Sequence, residues 1–113
     1  MELIKLSIDF SNVKTVDDFH TKMKELFGFP DFYGRNYNAF IDCLSSLRFP
    51  EDRMTTVHIV KSECILLMIY NINSISDDIR YNFLLSVQAI NDRSISHGEE
   101  APILLLLCKP RGG

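Results

Sequence analysis

The chain has 113 residues, 46% apolar and 24% charged, with a formal net charge of −3. That size and balance predict one ordinary domain with a core that needs no metal or disulfide, and they exclude a disordered chain. Without a cluster of Lys and Arg, direct nucleic-acid binding, which runs on neutralised phosphates, is disfavoured, whereas a basic protein partner is mildly favoured.

Ile4, Leu6, Ile8 and Phe10 alternate with Lys5, Ser7 and Asp9, the period of a strand with one buried face. No basic stretch followed by an apolar block precedes it, so the expected location is the cytoplasm. Thr15-Val-Asp-Asp18 reads as a helix N-cap with acids in the first turn, and Val16, Phe19, Met23, Leu26 and Phe27 follow at helical spacing up to Gly28. A second helix is expected from its cap at Asn36 to about Leu47, with Tyr37, Phe40, Ile41, Leu44 and Leu47 as its apolar stripe, and Pro50 keeps it from running further.

Thr56–Val60 reads as a short extended segment. Cys64–Tyr70 is a continuous apolar run, the pattern of a strand covered on both faces. Ser74-Ile-Ser-Asp77 reads as a capping box opening a long helix carried by Ile75, Ile79, Phe83, Leu84, Val87 and Ile90 and ended by Gly98. Pro102–Cys108 reads as a second fully buried strand, and 109–113 as a flexible tail. Both apolar runs are too short to span a bilayer, so no membrane contact is expected. The fold class that follows is α/β: a small three-stranded, mostly parallel sheet packed with helices, in β-α-α-β-α-β order, one domain over 1–113.

Cys43, Cys64 and Cys108 lack CxxC spacing, and His20, His58 and His97 lack ligand spacing, so neither a metal nor another cofactor is expected. Cys43 beside Asp42, with His20 or His58 elsewhere, is the nearest thing to a nucleophile and base. No Gly-rich nucleophile turn or phosphate loop accompanies them, so the expectation is that the protein is not an enzyme. The terminal Arg111-Gly-Gly113 is a single copy rather than an RNA-binding repeat.

The segment Phe29-Pro-Asp-Phe-Tyr-Gly-Arg-Asn36 is a loop crowded with aromatics, in which Gly34 is expected to take a positive φ. Just after it, on the helix face opposite the Phe40/Leu44 stripe, Asn38 and Asp42 stand four residues apart and therefore adjacent in space. Flat anchors around a point charge suit a protein interface. The same residue types also suit a bland reading, with Phe32 and Tyr33 pinning the loop as core and Asp42 an ordinary surface acid.

The nineteen residues from Leu26 to Leu44, Leu-Phe-Gly-Phe-Pro-Asp-Phe-Tyr-Gly-Arg-Asn-Tyr-Asn-Ala-Phe-Ile-Asp-Cys-Leu, resemble the signature of the barstar family, intracellular inhibitors of barnase-type ribonucleases. The resemblance implies a small parallel sheet and a protein that silences a ribonuclease by filling its active site. It gives Asp42 the role of the central acid that meets phosphate-holding cations, and it gives Phe32 and Tyr33 the place of paired contacting aromatics. Asn36 falls on the matching loop. Asn38 and Arg35 stand where the family carries acids, and Ile41 where it carries an aromatic. A further contacting acid of the family on the last helix has no secure counterpart among Asp92, Arg93 and His97.

The expected partner surface is thus Phe32, Tyr33, Arg35, Asn36, Asn38 and Asp42, on a protein that is a monomer when free. The alternative is a barstar-fold immunity or regulatory protein directed at a different, non-barnase toxin or effector, because fold and motif do not fix the partner.

Overall fold

A computed structural model describes residues 1–110; Arg111-Gly112-Gly113, most of the expected tail, lies outside the described residues. In chain order the elements are β1 (Glu2–Asp9), α1 (Val16–Phe27), α2 (Tyr37–Leu44), β2 (Glu63–Tyr70), α3 (Asp77–Ser96) and β3 (Ile103–Cys108), with 3-10 turns at Pro50–Asp52 and Ile72–Ser74. This is the β-α-α-β-α-β order, and the three strands form one sheet in the order β1-β2-β3, parallel throughout. Parallel neighbours need long crossovers. Here α1, α2 and an irregular segment connect β1 to β2, and α3 connects β2 to β3.

The helices start where their caps direct. Thr15 Oγ1 accepts from Asp18 N (3.1 Å) while Asp18 Oδ2 accepts from Thr15 N (3.1 Å), which completes a reciprocal box at α1. Gly28 closes α1 in the left-handed region, φ +69°. At α3 the capping residue is Ser76 rather than Ser74: its side chain accepts from Ile79 N at 3.2 Å, and Ser74 belongs to the preceding 3-10 turn. Leu84, expected inside α3, is 45% exposed.

Helix α2 stops at Leu44, one turn short of the expected Leu47. Ser45 Oγ donates to Ile41 O (2.6 Å) and Ser46 N bonds Cys43 O (3.1 Å), so the chain tightens into turns there, although Leu47 still enters the core. Thr56–Val60 is not a strand. Its amides bond backward, Thr56 N to Phe27 O (2.9 Å) and Ile59 N to Leu47 O (3.0 Å), so the segment is a strap over the ends of α1 and α2. Arg48 fastens the far end of that strap by donating to the carbonyls of Val60, Glu63 and Glu100.

One apolar cluster joins the sheet to the helices, with Phe10, Phe19, Phe27, Phe40, Phe83, Met23, Leu44, Ile65, Leu67, Ile69 and Ile90 fully buried. Phe19 sits among Phe10, Phe40 and Phe83, with ring centroids 5.6–6.1 Å away. The expectation of strands covered on both faces is corrected. In β2 the inward Ile65, Leu67 and Ile69 are buried while Leu66, Met68 and Tyr70 are only partly so. In the edge strand β3, Leu104, Leu106 and Leu107 are exposed, because the helical layer lies on one side of the sheet and β3 has no strand beyond it.

Candidate partner-binding site

The candidate site grows from the loop after α1 and the outer side of α2. Asn36 fixes the start of that helix: its Oδ1 accepts from Ala39 N (2.8 Å) and its Nδ2 donates to Gly34 O (3.2 Å). With Phe40, Cys43 and Leu44 turned into the core, the helical period leaves Asn38 and Asp42 on the exposed side. Phe32 stands out from the loop at 77% exposure, a large apolar side chain with nothing to bury it.

Of the two places open to it, on the partner surface or pinning the loop as core, Tyr33 has the surroundings of a core residue. It is 6% exposed, tilts against Phe29 at 4.7 Å, and its hydroxyl lies 2.6 Å from His20 Nδ1. Burial holds the Tyr33 phenol well above its usual pKa. Burial, and then the charge of Arg35, holds His20 below its usual value, so the pair is neutral.

Gly34 does not take the positive φ expected of it; Arg35 does, at φ 53°. That left-handed turn is held by the Arg35 side chain, whose Nε donates to Asp17 Oδ1 (2.9 Å) and whose Nη2 donates to Asp17 O (2.8 Å) and Thr21 Oγ1 (2.6 Å). Gly34 answers to space instead: a Cβ there would lie 3.3 Å from Asn36 Nδ2 and 3.4 Å from Ala39 Cβ, inside the cap.

Arg93 of α3 is the residue that sequence reasoning named but did not place. Its Nη1 donates to Asp42 Oδ1 at 2.9 Å and to Ser45 Oγ at 3.3 Å. A signal existed: Arg93 lies three residues beyond Ile90 and so continues the stripe of Ile79, Phe83 and Ile90 past the end of the core. The packing of α2 on α3 then brings it to Asp42, a meeting 51 residues apart that no local pattern reveals.

Cys43 is a packed thiol; burial first, and the neighbouring Asp42 charge second, push its pKa up to about 11. A thiol so raised is not a nucleophile at neutral pH. Among the described residues no group of three or more His, Cys, Asp or Glu could hold a metal ion. Among them too, no helix is long and apolar enough to cross a membrane.

Compared with known proteins, residues 4–75 match a family model described as Barstar (barnase inhibitor). A 41-residue stretch is 39% identical to a Bacillus subtilis (strain 168) protein named "Putative ribonuclease inhibitor YrdF". That stretch is 36% of this chain and spans 45%, under half, of the relative's length.

Proposed function

The chain belongs to the barstar family, and from that premise we propose that it inhibits a ribonuclease by laying α2 and the preceding loop over the enzyme's active site. The observation that carries this reading is Asp42: a carboxylate on the exposed side of a capped helix, with the unburied ring of Phe32 on the loop that leads into it. Held rigidly, such a carboxylate can stand in for a substrate phosphate and accept charge-assisted hydrogen bonds from Arg, Lys or His. Phe32 supplies the apolar anchor, while Asn38 and Arg35 bias partner choice. Tyr33 and Asn36 act one step back, the first pinning the loop to His20 and the second capping the helix. Binding involves no cofactor and no contact of this chain with nucleic acid.

Titration calorimetry and RNA-cleavage assays against a panel of barnase-type ribonucleases test the reading. Tight one-to-one inhibition is expected, and Asp42→Ala should weaken it by about 3 kcal/mol or more, over a hundredfold in Kd, because truncation strands the partner's desolvated cation. Inhibition that ignores Asp42 would move the site off this helix. A second reading, an immunity or regulatory protein against a different toxin, is favoured by one observation, the cation Arg93 already seated on Asp42. It predicts no inhibition of any nuclease in the panel.

A further inference from the structure

The charge pattern of the site is mixed rather than acidic. Asp42 reaches the surface with Arg93 on it, and the Arg93 and Asp42 side chains are 52% and 61% exposed, so the pair faces any molecule that covers α2. Only Nη1 of Arg93 is engaged with side chains; Nε and Nη2 have no partner among the described residues. A guanidinium carries five N–H donors in a fixed fork, so Arg93 can hold Asp42 and still receive a second carboxylate. Beside it an open pocket of about 200 Å³, lined by Leu44, Leu47, Phe49, Pro102, His97 and the acid Glu99, leaves room for an incoming side chain. Arg48, which also lines the pocket, is held in place by three backbone carbonyls, one on each of its nitrogens, and keeps one N–H on each Nη.

Resting on the ribonuclease-inhibitor reading, we propose that Arg93 is a specificity-determining residue: the partner presents an acidic side chain to Arg93 beside the cation that meets Asp42. A cleft that is cationic throughout would press a like charge against Arg93 as water leaves the contact, and it would meet an Asp42 already neutralised from within. Like-charge juxtaposition is how interfaces reject wrong partners. A cleft offering one acid and one base would instead close an alternating ring of four charges.

The test uses barnase as the probe, an enzyme whose phosphate site is cationic. Kd is measured at low and moderate salt for the wild type, Arg93→Gln, Arg93→Glu and each change combined with Asp42→Ala, with thermal melts to show that the variants are folded. Arg93→Gln should tighten binding about tenfold, and Arg93→Glu about a hundredfold, by freeing Asp42 and removing the facing cation. The Arg93→Gln gain should shrink with added salt, and in the Asp42→Ala background, where no carboxylate is left to free, only its like-charge part should remain. Affinities within twofold of wild type, or an Arg93→Gln gain that does not shrink with added salt, would overturn the role of Arg93. Wild-type binding that depends on Asp42 but not on Arg93 sinks this inference and leaves the inhibitor reading standing. Absence of binding by every variant, Arg93→Glu included, to barnase and to the rest of the ribonuclease panel sinks the inhibitor reading itself.

Discussion

Tyr33 and Tyr37 both set their rings against His20, at centroid distances of 5.6 and 5.4 Å, yet their hydroxyls fare differently. That of Tyr33 is bonded to His20 Nδ1, whereas that of Tyr37 is buried with no hydrogen-bond partner among the described residues. The same chemical change should therefore have opposite signs at the two positions. Tyr33→Phe leaves a buried imidazole nitrogen orphaned and should destabilise the fold by about 1–3 kcal/mol. Tyr37→Phe removes an orphan and should be neutral or stabilising by up to about 1 kcal/mol. Urea midpoints with unchanged slopes would measure both, and equal losses would refute the hydrogen-bond assignment. None of this was legible in the sequence. Tyr33 sits in a loop without periodicity, so nothing local told buried from exposed, and its partner lies thirteen residues back.

At the scale of elements, the junction of α1 with the strap admits a sharp test. Gly28 caps α1 at φ +69°, and a Cβ there would fall 1.9 Å from Thr56 Oγ1. Gly28→Ala should cost about 1–2 kcal/mol for the left-handed backbone and more for displacing the strap. Adding Thr56→Gly should return the second part only, so thermal melts of the single and double variants separate the two causes. An alanine variant as stable as wild type would mean the strap does not lie where Thr56 N bonds Phe27 O. The two long helices and β1 were readable because each carries a cap or a clean period. The strap was not, since its hydrogen bonds run to helix ends rather than to a neighbouring strand. The run Ile103–Cys108 misled for a related reason: an unbroken apolar sequence suggests two covers, but edge position and a one-sided helical layer leave Leu104, Leu106 and Leu107 in solvent. Asp42 was legible from helical phase within α2. Arg93 against it was not, since that pairing depends on how α2 and α3 pack.

For the molecule as a whole, the buried His20 ties stability to pH in a defined window. Its folded pKa lies below the ordinary value of about 6.5, chiefly through burial and then through Arg35. Between those two values the unfolded chain binds a proton that the folded chain does not, so stability rises with pH across that interval. The contribution is therefore complete above about pH 6.5 and is lost progressively as pH falls toward the depressed folded value. The hydrogen-bonded carboxylates of Asp9 and Asp18 act lower. Their folded values lie under the usual 3.8, held down by Asn71 in the first case and by the Lys14 and Thr15 amides in the second. What they contribute is present above about pH 3.8 and disappears only below it. Denaturation of the wild type should thus shift to lower urea between pH 7.5 and 5, where Asp9 and Asp18 stay ionised in both states. In His20→Gln, whatever its starting stability, that shift should shrink, since the amide has no proton to gain. An equal shift in both proteins would assign the pH dependence to groups other than His20. Because the folded chain keeps His20 neutral across that interval, the contact that anchors Tyr33 and the loop carrying Phe32 and Arg35 persists there, so any loss of partner affinity through His20 should begin only below the depressed folded value and be smaller in His20→Gln.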